Sequence, residues 1–130
     1  DLIPQYQDYV TRARWSDNLQ TIGGLKAAIG ECAQNNNGVF SSATCNSVAN
    51  LISNGFLPAN FDATTLKGKY MASAVTWDGT SLVLTGDTVT AAGCTVTLTP
   101  STTTGQAKIV WAVQNGGATG CNRSKTGVGT

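Results

Sequence analysis

Apolar residues along the first thirty positions recur at helical spacing, but in two series. Ile3, Tyr6, Val10 and Ala13 form one; Trp15, Leu19, Ile22, Leu25 and Ile29 form the other. Each has the three- and four-residue steps of a single helix face. At about 100° per residue the first stripe centres roughly 120–140° away from the second. The pattern predicts one long helix over residues 1–31, with Pro4 in the first turn, where a proline is tolerated. The second stripe suits a core made by the rest of the chain. The first lies ahead of that core and calls for another partner, such as a neighbouring subunit. A break at Gly23-Gly24 or earlier is the alternative, and it would let both stripes pack within one molecule. Gly23, Gly24 and Gly30 weaken the helix by about 1 kcal/mol each relative to Ala, so packing must hold it.

Residues 32–68 carry loop signals, beginning with the turn run Asn35-Asn36-Asn37-Gly38. A short helix is expected within residues 44–54, with Val48, Leu51 and Ile52 inward and Asn54-Gly55 closing it before Leu57-Pro58. From Gly68 the period changes to two. Strands are expected at 69–77, ended by Asp78-Gly79, and at 81–85, with Leu82 and Leu84 alternating. The clearest alternation is 94–99, with Cys94, Val96 and Leu98 inward, threonines outward, and Pro100 ending the run. A fourth strand is expected at 106–113 around Ile109 and Trp111, followed by an aperiodic Gly- and Asn-rich tail. Short connections imply an antiparallel meander. The predicted fold is α+β: one domain over 1–130, a long N-terminal helix packed on a four-stranded antiparallel β-sheet.

The four cysteines, Cys32, Cys45, Cys94 and Cys121, show no CxxC spacing, and the chain has no His to complete a zinc site. An even count in a small, weakly charged domain reads as two disulfides formed in an oxidising compartment; the alternative is four buried free thiols. Four cysteines allow three pairings. Cys32–Cys45 with Cys94–Cys121 is favoured, because nested or crossed pairings would interleave the two halves of the chain. These bridges would close two edge loops, stabilising the fold by about 3 and 3.5 kcal/mol on the chain-entropy account. The second would bound a region over 94–121.

Only 12% of the 130 residues are charged and the formal net charge is +1, so no long-range field steers polyanions. The absence of His removes the usual neutral-pH base, and the seven carboxylates are scattered. Catalysis, metal and cofactor are therefore not expected. Asp78-Gly79 and Asp87 lack the closely spaced oxygen ligands that calcium needs. No apolar run reaches the length of a membrane span, and no signal peptide is read in these residues, so the natural N-terminus of an exported domain is expected to lie elsewhere.

The segment Ile3-Pro4-Gln5-Tyr6-Gln7-Asp8-Tyr9-Val10-Thr11-Arg12-Ala13-Arg14 resembles the start of the exposed part of a type IV pilin of the type IVa class. Gly68-Lys69-Tyr70 with the strand after it, then Leu98-Thr99-Pro100, Gly105 and Ile109-Val110-Trp111, resemble that family's strands in order. In many relatives the first cysteine of the D-loop follows the strand Trp by two residues; Val113 stands there, and Cys94 is the nearest candidate. The resemblance implies the pilin fold and the truncated soluble domain of a Gram-negative major pilin. The family's apolar helix, opening on a processed and methylated Phe, would precede Pro4, with Asp1-Leu2 foreign to it. It further implies an inner-membrane precursor cleaved by a prepilin peptidase, handled by the pilus assembly machinery, and polymerised into a cell-surface fibre. Such fibres serve adhesion to host receptors or abiotic surfaces, twitching motility, biofilm formation and DNA uptake. A minor pilin, a type II secretion pseudopilin and a lectin-like extracellular binding module are the rival readings.

Pro4, Tyr6, Tyr9, Val10, Arg12 and Arg14 are the candidate subunit-packing residues, against the plainer reading of a solvated helix end. Gln114, Asn115, Asn122, Arg123 and Lys125 are candidates for a receptor-contacting D-loop, against a loop that only caps an edge. Arg123 and Lys125 make a weak case for DNA, since two charges fall short of an electrostatic footprint. Trp77 and Trp111 read as core rather than as stacking platforms. Thr64 and Thr65, like Ser41-Ser42 and Thr102-Thr103-Thr104, are hydroxyl clusters of the kind that some pilins O-glycosylate, or ordinary loop residues.

Overall fold

The computed structural model describes residues 4–103 and 108–130. Two helices, α1 (Pro4–Gln20) and α2 (Gly23–Gln34), replace the single long helix expected over 1–31. The break has a local cause. Thr21 donates both its hydroxyl, at 2.7 Å, and its backbone N–H, at 3.2 Å, to the carbonyl of Asn18. This i→i−3 closure ends the α-helical ladder. The buried Asn18 side chain is meanwhile drawn to the carbonyl of Tyr70 at 3.2 Å. Helix resumes when Lys26 N–H reaches the Ile22 carbonyl at 2.8 Å. The break falls just before Gly23-Gly24 and leaves the apolar stripes divided. Trp15, Ile22, Leu25 and Ile29 are buried, whereas Tyr6 and Ala13 are exposed and Val10 is half-buried. Ile3 lies outside the described residues.

The connecting region holds α3 (Val48–Ser53), whose first turn is capped by the Ser47 hydroxyl accepting Asn50 N–H at 3.1 Å. Leu51 is its buried residue, with Val48 and Ile52 packed beside it. A 3-10 turn, Ala63–Leu66, follows.

The described residues form an antiparallel sheet in sequence order: β1 (Thr76–Trp77), β2 (Leu82–Thr85), β3 (Cys94–Thr102) and β4 (Ile109–Gly117). Three expectations about the strands need correction. Residues 69–75 are not a strand: Val75 N–H turns to the carbonyl of Leu66 at 3.1 Å, and Met71 makes only an isolated bridge with Gly86. Nor does Pro100 end β3. It pairs with Trp111 where β3 has outrun β2, whose last partner is Leu98 facing Leu82. That is the edge setting in which a strand proline is tolerated. The final strand also runs past the expected Val113, so Gln114 and Asn115 lie within β4 rather than in a loop.

Register places Trp77, Leu82, Leu84, Val96, Leu98, Val113 and Trp111 on the sheet face that meets the helices. Thr95, Thr97 and Thr99 stand on the other, solvent-facing side. Both cysteine pairs are closed as expected, Cys32–Cys45 and Cys94–Cys121. The first fastens α2 to the region before α3, and Trp77 Nε1–H donates to the Cys45 carbonyl at 2.7 Å, drawing in β1. The second joins the start of β3 to the turn after β4, so it encloses the final strand.

Candidate functional site

The first half of α1 is where the sequence-predicted residues gather. Pro4 is the first residue of the helix, and its side chain lies outside what is described. Tyr6 is 52% and Tyr9 64% exposed, among the largest apolar exposures of the described residues. Arg12 and Arg14 are half-buried because each is engaged by a distant backbone carbonyl. Arg12 donates to Ser124 at 2.7 Å and Arg14 to Thr90 at 3.1 Å. The next residue, Trp15, donates its Nε1–H to the Ala91 carbonyl at 3.1 Å. Successive turns of α1 are thus fastened first to the C-terminal region and then to residues 87–93.

That C-terminal region contains α4 (Arg123–Thr126), a single turn capped by the Asn122 side chain accepting Ser124 N–H at 2.9 Å. Lys125 Nζ meets Asp8 Oδ1 at 3.4 Å. The structure therefore unites two sets of residues that the sequence presented as separate sites: Arg12 with Ser124, and Asp8 with Lys125. Asn122 and Arg123 are exposed on the same turn, with Arg123 reaching the Gly129 carbonyl at 3.5 Å. Gln114 and Asn115 do not join them. Gln114 projects from the solvent face of β4. Asn115 is half-buried, accepting from Thr126 Oγ1 at 2.6 Å and donating to the Val128 carbonyl at 2.8 Å, so it anchors the tail.

Grooves flank α1 here. One, of about 550 Å³, opens between α1 and residues 69–70, lined by Tyr9, Val10, Ala13, Arg14, Lys69 and Tyr70, with Asp17 at its end. The Arg14 guanidinium and the Lys69 ammonium each stand 5.5 Å from the Tyr70 ring centroid, within cation–π reach. The other, of about 300 Å³, lies between α1, Val89 and Lys125. Sequence reading missed Lys69, Tyr70, Asp17 and Val89 as members of this surface. Only Val89 left a signal, a lone apolar residue amid the polar turn residues Asp87, Thr88 and Thr90.

Trp77 is 6% exposed, too buried to serve as a stacking platform, and Trp111 is half-buried beneath Lys26 Nζ at 5.2 Å. Thr64 and Thr65 are exposed on the 3-10 turn, where Thr65 Oγ1 donates to the Asp62 carbonyl at 2.6 Å. Ser41 and Thr103 are exposed, Ser42 and Thr102 half-buried, and Thr104 lies outside the described residues. Asp62, Asp78 and Asp87 each have a carboxyl pKa below the ordinary 3.8. For Asp62 the cause is the Thr64 N–H; for Asp78, the N–H groups of Ser81 and then Thr80; for Asp87, those of Thr90 and then Val89. These are turn-closing bonds rather than a reactive cluster. No described helix is long and apolar enough to cross a membrane. Against known proteins, the chain matches no family model, no curated protein and no solved structure.

Proposed function

We infer that the chain is the globular head of a type IV pilin and serves as a non-catalytic structural subunit of a pilus fibre. The observation that carries this reading is the exposure of Tyr6, Tyr9 and Ala13 on the first half of α1. Tyr6 and Tyr9 face solvent on the segment whose residues 3–14 resemble the pilin motif, while the stripe after it is buried at Trp15, Ile22, Leu25 and Ile29, with Leu19 packed against the core. Exposed aromatic side chains grouped on one helix face mark an interaction surface. A fibre of identical subunits would cover it on every copy.

In this reading the full subunit continues upstream of Pro4 into an apolar helix. That helix anchors the precursor in the inner membrane until the assembly machinery builds it into a cell-surface pilus. The heads then meet host receptors or abiotic surfaces through the exposed residues of α4 and the turn before it, in adhesion, twitching motility and biofilm formation. Hydroxyls such as those of Thr64 and Thr65 are open to O-glycosylation. Arg123 adds too little charge for DNA binding by itself.

The test is to express the chain behind a processed apolar pilin helix in a bacterium lacking its own pilin. Fibres visible by electron microscopy are expected. Normal export without fibres overturns the reading. Specific binding of the isolated head on a glycan array, with no fibres formed, would favour the lectin-like module instead.

A further inference from the structure

Val89 is 85% exposed, the most exposed of the large apolar side chains described, yet its backbone is tightly held. Asp87 Oδ1 accepts the N–H groups of Val89 at 2.8 Å and Thr90 at 2.9 Å. The Asp87 carbonyl accepts those of Ala91 and Gly93, both at 3.0 Å, and Asp87 N–H donates to Tyr70 at 2.9 Å. Arg14 fixes the same turn through the Thr90 carbonyl. A tip already ordered in this way loses little conformational freedom when another surface covers it. Nothing in the fold asks for Val89 to be apolar, since its side chain supports no part of the core.

The groove between α1 and residues 69–70 has the complementary character. Its walls are Tyr9, Val10, Ala13 and Tyr70, and its charged residues are Arg14 and Lys69 with Asp17. The turn that bears Val89 carries the Asp87 carboxylate, whose neighbouring cation in its own chain is Lys67. One patch is an apolar knob beside an anion; the other is an apolar slot where two cations, Arg14 and Lys69, outnumber one anion, Asp17. The sign and the shape match between patches, not within either one.

We propose that Val89 of one copy of this chain seats in the α1–Tyr70 groove of a second copy, with Asp87 of the first facing Lys69 of the second. In the fibre reading each copy gives its knob to one neighbour and receives the knob of another, which makes the contact heterologous, and such contacts propagate into open filaments unless their rotation closes a ring. The contact rests on the fibre reading for the setting in which copies meet, and it assigns the specificity of head-to-head packing to named residues. Val89 excludes water from the slot, and the Asp87–Lys69 pair sets direction, since like charge at either position would repel the neighbour.

The experiment uses the full subunit, with its apolar helix, in the pilin-lacking host. Benzoylphenylalanine placed at position 89 should, on irradiation of sheared fibres, give covalent dimers. Peptide mapping should put the junction on a peptide containing Tyr9 to Arg14 or Lys69-Tyr70. In parallel, Val89→Lys, which sets a cation against Arg14 and Lys69, should lower fibre yield about tenfold relative to Val89→Asp. Both variants should retain the circular dichroism and melting curve of the parent head, because the side chain makes no core contact. Abundant fibres that yield no such dimers, or dimers joined elsewhere, overturn the contact while leaving the fibre reading intact. Equal yields from the Lys and Asp variants overturn it as well. An unmodified subunit that is exported but forms no fibres overturns both.

Discussion

Two small residues at either end of the 87–93 segment make opposite predictions. A Cβ at Gly86 would come within 2.7 Å of Trp15 Cζ2 and 2.8 Å of Ala91 Cβ. Neither can yield easily, because Trp15 is fully buried and its indole N–H is committed to the Ala91 carbonyl. Gly86→Ala should therefore destabilise the domain by about 1–3 kcal/mol, the usual range for overpacking a core, in urea or thermal unfolding. Ala92 is the reverse case: it holds φ +59°, a conformation that carries a penalty for any residue with a Cβ. Relief of that strain outweighs the greater unfolded-state freedom of Gly and the loss of one half-buried methyl. Ala92→Gly should stabilise by up to about 1 kcal/mol in the same assay. Neither effect was legible in the sequence. Gly86 follows a clean strand and reads as a turn residue, and its neighbours Trp15 and Ala91 approach from elsewhere in the chain. The cysteine pairing, by contrast, could be argued from chain order, because it needed only the halves not to interleave.

Among the elements, the segments whose pattern is strong and self-contained were the readable ones. The alternation of β3 and the capped turn of α3 follow from residues within a few positions of each other. The limits of α1 and β1 do not. Where α1 ends depends on Thr21 closing on Asn18 while Asn18 is held by Tyr70, and where β1 begins depends on Leu66 taking the N–H of Val75. Connecting turns supply a prediction at this scale. Asp62, Asp78 and Asp87 all close turns by accepting backbone N–H groups, which holds their pKa values in the folded state below the ordinary 3.8. A depressed carboxyl pKa contributes stability that is fully present above the unfolded value and is lost as pH falls through the folded one. The chain has no His, so no side chain ordinarily titrates near pH 6.5. The melting temperature should be nearly level from pH 5 to 8 and fall below about pH 4. Asp78→Asn should flatten part of that acid decline, which differential scanning fluorimetry across the pH series would read. A steep change between pH 5 and 8 would contradict this account.

At the scale of the whole molecule, α1 belongs to two environments. From Trp15 onward it is part of the core; before that it lies on the surface, fastened by Arg12 to Ser124 and by Asp8 to Lys125. The ion pair is partly solvated, with side chains 30% and 29% exposed, and pairs of that kind contribute about 0–1 kcal/mol. Local opening tracks how much apolar burial holds a segment, so this half-helix should open well below the free energy of global unfolding. Amide hydrogen exchange on the isolated domain should find residues 6–13 weakly protected. The amides of Leu25, Ile29 and Cys32, whose side chains are buried on α2, should exchange only with global unfolding. Arg12→Ala should lower protection further over residues 6–11 while shifting overall stability by no more than about 1 kcal/mol, since the remainder of the core is untouched. The proposed fibre supplies the decisive comparison: if a neighbour covers Tyr6 and Tyr9 there, the same amides should become as slow as those of α2. If residues 6–13 already exchange as slowly as Ile29 in the free domain, the first half of α1 is supported within one chain. The argument that it waits for a second copy then fails at its first step.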